Sequence, residues 1–175
     1  MTEHQPYDVV HRYPDFELRR YPEHVVAETR VTGSFEGAGN ASFRRLVGYI
    51  RGRNAQSRTV AMTAPVIQEA DDEAEGRFVV SFVMPAGFEI EGAPAPTDRD
   101  VRLRVVPAQT AAALRVAGRW SQARYEEHAQ RLLACLEEAG LDVEGPLRFA
   151  RFDPPWTPWF LRHNEVVVPV APRAA

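Results

Sequence analysis

At 175 residues the chain can form one ordinary domain, or two small ones, with a real core, and its 45% hydrophobic and 26% charged content is that of a soluble globular protein. A net charge of −3 gives no electrostatic reason to expect nucleic acid or an anionic membrane, and all 21 basic residues are arginines, which excludes Schiff-base chemistry on a lysine. Cys135 is the single cysteine, so an intrachain disulfide and a thiolate cluster are excluded as well.

The first six residues are polar and lack the apolar core of a signal peptide. Residues 1–6 are expected as a disordered tail, 7–170 as one domain and 171–175 as a second tail. No apolar run approaches the ~20 residues of a membrane span, and the expected compartment is the cytoplasm. Strand-like runs come first, at residues 7–12, 16–21 and 24–32; Phe16-Glu17-Leu18-Arg19 alternates apolar and polar residues as a half-buried strand does. Ser34 is placed to cap a helix with apolar positions Phe35, Ala38, Phe43, Leu46, Val47 and Ile50, and Gly52 lies beyond its end. Residues 69–76 are acidic and predict a solvated hairpin loop; residues 78–84 predict a buried strand. Residues 86–100 read as a long surface loop, 101–105 as an alternating strand and 111–116 as a buried one.

Ser121 is placed to cap a second helix, with Tyr125, His128, Ala129, Leu132, Leu133 and Leu136 on one stripe and Gly140 at its end. On that helix Cys135 is expected as a small buried filler and His128 as a partly buried, hydrogen-bonded residue. Residues 153–161 then pack three prolines, two tryptophans and Phe160 into one loop. Proline fixes φ and removes a donor, so the loop is stiff and cannot join a sheet ladder. Its aromatics are either buried under the fold or offered to a flat apolar ligand. Residues 165–170 close the chain as a strand.

The two helices sit in matching contexts. Arg30-Val31-Thr32-Gly33-Ser34-Phe35 precedes the first and Arg115-Val116-Ala117-Gly118-Arg119-Trp120 the second; each reads strand, glycine, aromatic, helix. Met62-Thr63-Ala64-Pro65-Val66 and Phe152-Asp153-Pro154-Pro155-Trp156 supply a proline-marked turn after each. This pattern predicts an internal duplication about a pseudo-two-fold axis.

Several words of the sequence resemble the SOUL/heme-binding protein family. They are Phe16-Glu17-Leu18-Arg19-Arg20-Tyr21, Gly48-Tyr49-Ile50-Arg51-Gly52-Arg53-Asn54, Ala61-Met62-Thr63-Ala64-Pro65-Val66, Phe82-Val83-Met84-Pro85, Ala95-Pro96-Thr97-Asp98, Asp153-Pro154-Pro155-Trp156-Thr157-Pro158 and Arg162-His163-Asn164-Glu165-Val166. The resemblance runs from about residue 7 to 170 and implies an α+β fold: a distorted β-barrel or curved antiparallel sheet with two helices and pseudo-two-fold duplication. It also implies binding of heme or another tetrapyrrole, non-covalently, between the first helix and the aromatic loop.

A tetrapyrrole is a flat apolar disc with two carboxylates on one edge. Phe43, Val47, Trp156, Trp159 and Phe160 are the candidates to cover its faces, and Arg44, Arg45, Arg51 and Arg162 to line the rim. Phe43 and Val47 read equally well as plain core. In relatives said to coordinate iron, a histidine immediately precedes the tyrosine of the first motif; here that position is Arg20, which cannot ligate iron. His24 is four residues on, and no histidine pair has the spacing of a helical metal site, so the expectation is binding without a histidine–iron bond and no resident metal. Two other readings stay open. One is a GyrI-like small-molecule-binding or hydrolytic enzyme with Glu165 or Glu17 as acid or base, although no nucleophile elbow, Walker loop or dinucleotide fingerprint is present and no catalytic residue is assigned. The other is a protein-interaction module using the aromatic loop.

Overall fold

The computed structural model describes residues 2–154 and 156–173; Pro155 and residues 174–175 of the expected tail lie outside the described residues, as does Met1. In chain order the strands are β1 (Glu3–His4), β2 (Asp8–Arg12), β3 (Glu17–Tyr21), β4 (His24–Thr32), β5 (Thr63–Ala64), β6 (Val66–Ala70), β7 (Arg77–Val83), β8 (Val101–Val106), β9 (Gln109–Ala117), β10 (Leu141–Val143), β11 (Arg148–Arg151) and β12 (His163–Pro172). Helix α1 (Phe35–Ile50) joins β4 to β5 and helix α2 (Gln122–Ala139) joins β9 to β10. A 3-10 turn, Trp159–Leu161, sits in the loop before β12.

Both helices start as their sequences dictate. The hydroxyl of Ser34 accepts the Gly37 amide and that of Ser121 the Arg124 amide, which satisfies a free donor at each N-terminus. α2 ends at Gly140, whose φ of 68° is left-handed and needs the missing Cβ. The stripe of α2 holds, except that His128, though partly buried, has an Nδ1 without a hydrogen-bond partner among the described residues; burial lowers its pKa.

Ten strands form one antiparallel sheet in the order β2-β3-β9-β12-β11-β6-β7-β4-β8, with β10 added beside β12. It curls into a half-barrel. Ala112, Leu114, Val116, Val166 and Val168 pack against Leu132 and Leu136 of α2, while Val25, Ala27, Val80 and Phe82 pack against Leu46, Tyr49 and Ile50 of α1. The opposite face carries no helix, yet Tyr21, Ala111, Ala113, Ala150 and Val167 are buried there, as are Val26, Val83 and Val106. The curl of the sheet covers them, and the three alanines leave room for the tight curvature.

The duplication is written in the pairing register. Outward from β6 the order is β6-β7-β4-β8, and outward from β11 it is β11-β12-β9-β3. Val26 opposite Val83 matches Ala111 opposite Pro169, and Arg30 opposite Val79 matches Arg115 opposite Glu165. The axis passes between β6 and β11, where the pairs Glu69–Arg148 and Ile67–Ala150 exchange. The proline words do not correspond as their sequences suggest. By register Pro65 is equivalent to Pro146, and residues 152–162 are an expanded version of the acidic turn 71–76. Similar proline words in the two halves hide an offset that only strand pairing reveals.

The first six residues, expected as a tail, hold β1, which pairs in parallel with β5, and Gln5, which is buried with its amide 3.1 Å from His24 Nε2. The chain turns at Pro22 and Glu23, so His24 opens β4 and does not continue the strand of Arg20. The long loop 84–100 lies over the end of α1: Tyr49 Oη donates to Pro94 O at 2.9 Å, and Thr97 Oγ1 donates to Arg53 O at 3.0 Å. Buried Asn54 ties the α1–β5 connection, donating to Tyr49 O and Arg58 O and accepting the Arg58 amide.

Candidate functional site

The loop of residues 152–162 springs from the end of β11. Asp153 accepts the His163 amide at 2.5 Å and Arg162 Nε donates to Thr157 O at 2.8 Å, so both ends of the loop are pinned. The aromatics between these pins face outward. Trp156 is 82% exposed, Trp159 50%, Phe160 62% and Leu161 64%. Trp159 and Phe160 meet edge to face at 5.7 Å, and Arg119 lies 5.7 Å above the Trp159 ring. Four large apolar side chains held open on a stiff loop constitute an apolar patch rather than scattered surface residues.

One face of α1 offers Gly39, Phe43 and Val47, one turn apart. Phe43 is neither plain core nor free: its ring meets Phe82 at 5.6 Å, and 40% of the residue is exposed. Val47 is half-buried against the α1 core. Phe82, Val66 and Arg151 lie in one row across β7, β6 and β11, and Val66 and Phe82 pack on the face that α1 covers, with Val66 and Arg151 half-buried. Met62, just before β5, is exposed.

The arginines proposed from sequence differ in their commitments. Arg45 is ion-paired with Asp100 at 3.2 Å and Asp98 at 3.9 Å; Arg44 and Arg51 are exposed, Arg51 with its backbone bridged to Thr59. Sequence reasoning missed Arg151. Its guanidinium stacks 3.7 Å from the ring centre of Trp120 and comes so close to α1 that a Cβ on Gly39 would lie 2.0 Å from Nη2. Only Gly39 allows this approach. Arg151 Nη2 donates to Gln68 Oε1 at 3.4 Å, and no carboxylate pairs with it among the described residues.

The inner face of the half-barrel holds a different constellation. Arg19 grips Glu165 with two bonds, Nη1 to Oε2 at 2.7 Å and Nη2 to Oε1 at 2.9 Å. It also donates to Glu17 at 2.9 Å and to Tyr21 Oη at 3.2 Å, and lies 4.1 Å over the Tyr7 ring. His163 Nε2 is 2.9 Å from Glu165 Oε1, and its ring stacks on Phe152 at 4.3 Å. The side-chain partners of Glu165, a candidate acid or base from sequence, are thus Arg19 and His163. Burial pushes the Glu165 carboxyl up, but the bonds from His163 and Arg19 outweigh it and hold the group below the usual range. Burial takes Tyr21 up to about 12. A carboxylate so committed is an ion-pair partner, the opposite of a poised base. The cavity beside it measures about 30 Å³, room for a single water and not for a macrocycle.

A second hollow, open and of about 640 Å³, lies between β2–β3 and β10–β12 and is lined by Val10, Leu18, Leu141, Pro146 and Pro169. It has no aromatic wall, and its arginine, Arg148, is paired with Glu69 at 3.3 Å. Among the described residues no cluster of histidine, cysteine and acidic side chains could hold a metal ion, and no helix is long and apolar enough to cross a membrane.

Three comparisons bear on this arrangement. The family model described as SOUL heme-binding protein matches residues 2–169. Heme-binding protein 1 of Xenopus laevis is 27% identical over 164 residues, covering 85% of this chain and 84% of its own length. Heme-binding protein 1 of Mus musculus is 28% identical over 127 residues, covering 70% and 66%. Among solved structures the C-terminal domain of EcmrR has a TM-score of 0.69 at 16% identity, covering 95% of this chain and 98% of that one, a likeness of fold alone.

Proposed function

We propose, from the premise that this chain belongs to the SOUL heme-binding protein family, that it binds a tetrapyrrole in the space between α1 and the loop of residues 152–162, as a cytoplasmic carrier, buffer or sequestering protein. The observation that carries the reading is the outward set of Trp156, Trp159, Phe160 and Leu161 on a loop pinned at both ends. Exposing these side chains to water is costly, and covering them with a flat apolar disc recovers that cost while leaving the fold unchanged. Phe43 and Val47 contribute from α1, and Arg44, Arg45, Arg51 and Arg162 supply positive charge around the rim. The residues fit the group: apolar faces stand open, and a buried guanidinium nitrogen of Arg151 has no hydrogen-bond partner among the described residues.

The ligand is held without a bond from histidine to iron. Among the described residues His163 is engaged with Glu165, His24 with Gln5 and the Pro22 carbonyl, His128 lies on α2, His11 meets the Tyr13 ring at 4.5 Å, and His4 meets at 5.6 Å the Phe152 ring on which His163 stacks. The expected result is therefore that hemin and metal-free protoporphyrin IX quench tryptophan emission with affinities within about threefold of each other, because without an iron bond both discs make the same apolar and ionic contacts. A hemin affinity a hundredfold above that of protoporphyrin would refute non-coordinating binding, and silence towards both would refute the site. Trp159→Ala and Phe160→Ala each lower protoporphyrin affinity by about three- to tenfold, through lost stacking, with unchanged thermal unfolding.

A further inference from the structure

Arg151 is a largely buried cation whose chemistry the fold does not explain. Its equivalent across the pseudo-two-fold axis is Ala70, so the duplicated sheet has no structural need of an arginine there. The fold nonetheless accommodates it at two sites: Gly39 gives up its side chain to admit the guanidinium, and Trp120 lies under it at 3.7 Å. Two N–H donors of this stacked pair, Arg151 Nε and Trp120 Nε1, are buried and have no acceptor among the described residues. Among the described residues the ion pairs tie other side chains together, and none involves Arg151. Burying a cation without an anion is costly, and buried donors are almost always satisfied.

We infer that Arg151, backed by Trp120, is the anchor for a carboxylate on the edge of the bound tetrapyrrole, which restricts the ligand class to tetrapyrroles with a free acid group. The inference rests on the binding reading above and deepens it. A guanidinium offers parallel donors that match a carboxylate, and the adjacent indole N–H adds a third. The position suits the geometry. The guanidinium sits against Gly39, one turn of α1 before Phe43, and the aromatic loop begins at the next residue, so a disc covering Phe43 and the loop aromatics brings its edge to Arg151. Burial pushes the Arg151 pKa down to about 10, which leaves it charged at neutral pH. The ion-paired Arg45 and the exposed Arg44 and Arg51 then act as a diffuse field, and not as the contact that orients the ligand.

The test uses protoporphyrin IX and its dimethyl ester, which has the same disc without the acids, titrated against the full chain by tryptophan quenching. Arg151→Met is expected to lower protoporphyrin IX affinity by roughly 10- to 100-fold and leave that of the ester within about threefold of the parent protein. Gly39→Ala keeps the charge and favours the helix, but its methyl displaces the guanidinium; it is expected to lower acid affinity by at least about threefold and to spare the ester. Should Arg151→Met not fold, Gly39→Ala decides. Unchanged acid affinity in the variants, or an equal loss for acid and ester, overturns the anchor while the binding site stands. Silence of the parent protein towards both porphyrins overturns the site and the anchor together.

Discussion

Replacing Arg19 by Met is expected to lower stability by about 3–5 kcal/mol, read as a shift in the urea midpoint at constant slope. Arg19 is 5% exposed and Glu165 1%, and the two share a bidentate bond on the inner face of the half-barrel. Removing the guanidinium leaves the carboxylate buried with His163 alone. The penalty is that of an uncompensated charge, larger than the worth of the pair itself. The double variant Arg19→Met with Glu165→Leu is therefore expected to recover most of the loss. A single-variant loss below about 1 kcal/mol would show that water reaches the carboxylate. The pH dependence has a definite sign. Glu165 is held below the ordinary carboxylate value, so its contribution is fully present above the unfolded value of about 4.3 and is lost as pH falls through the folded value. In Arg19→Met the stabilising partner is gone and that acid limb moves upward in pH.

The same pair shows what a duplicated sheet allows. By register Glu165 corresponds to Val79 and Arg19 to Arg104, yet Arg104 pairs with Glu28 at 2.9 Å, on β4, and the position equivalent to Glu28 is Ala113. One half of the inner face thus keeps its acid on the strand that the other half keeps apolar. The loops diverged too: the acidic turn 71–76 ties Asp71 to Arg77 and Arg30, while its counterpart carries the exposed tryptophans.

Much of this frame was legible along the chain. Ser34 and Ser121 cap the helices, Gly140 ends α2, and the strand–glycine–aromatic words before each helix mark the repeat, because capping, left-handed turns and amphipathic stripes are local properties. That the aromatic loop stays out of the sheet was visible for the same reason, since its prolines remove donors, but the sequence left its aromatics either buried or open, and the structure exposes them. What was not legible depends on register. That Arg151 shares a row with Val66 and Phe82, that Gly39 faces it, and that Arg19 reaches Glu165 across 146 positions are facts of pairing, and nothing near those residues in sequence announces them. The pairing of Arg45 was equally hidden, since Asp98 and Asp100 reach it from a distant loop.

Phe149→Ala is expected to destabilise the protein by about 3–5 kcal/mol, and Phe149→Leu by less than about 1.5 kcal/mol. Phe149 is 1% exposed and sits opposite Gln68 at the pseudo-two-fold axis, where the two helical layers meet. Its ring stacks on Trp120 at 3.9 Å and meets Tyr125 at 4.9 Å and Phe35 at 5.7 Å, one aromatic each from the approach to α2, from α2 and from α1. Truncation opens a cavity that rigid neighbouring rings cannot close, whereas leucine fills most of it. Calorimetric unfolding of both variants measures the difference; equal losses would mean that ring contacts, and not filled volume, set the cost. The consequence for binding runs through Trp120, which Phe149 supports on one side while Arg151 stacks on it. If Arg151 is the carboxylate anchor proposed above, Phe149→Ala is thus expected to weaken protoporphyrin IX without touching it, and Phe149→Leu to restore affinity in step with stability, because Phe149 holds the indole on which the guanidinium rests.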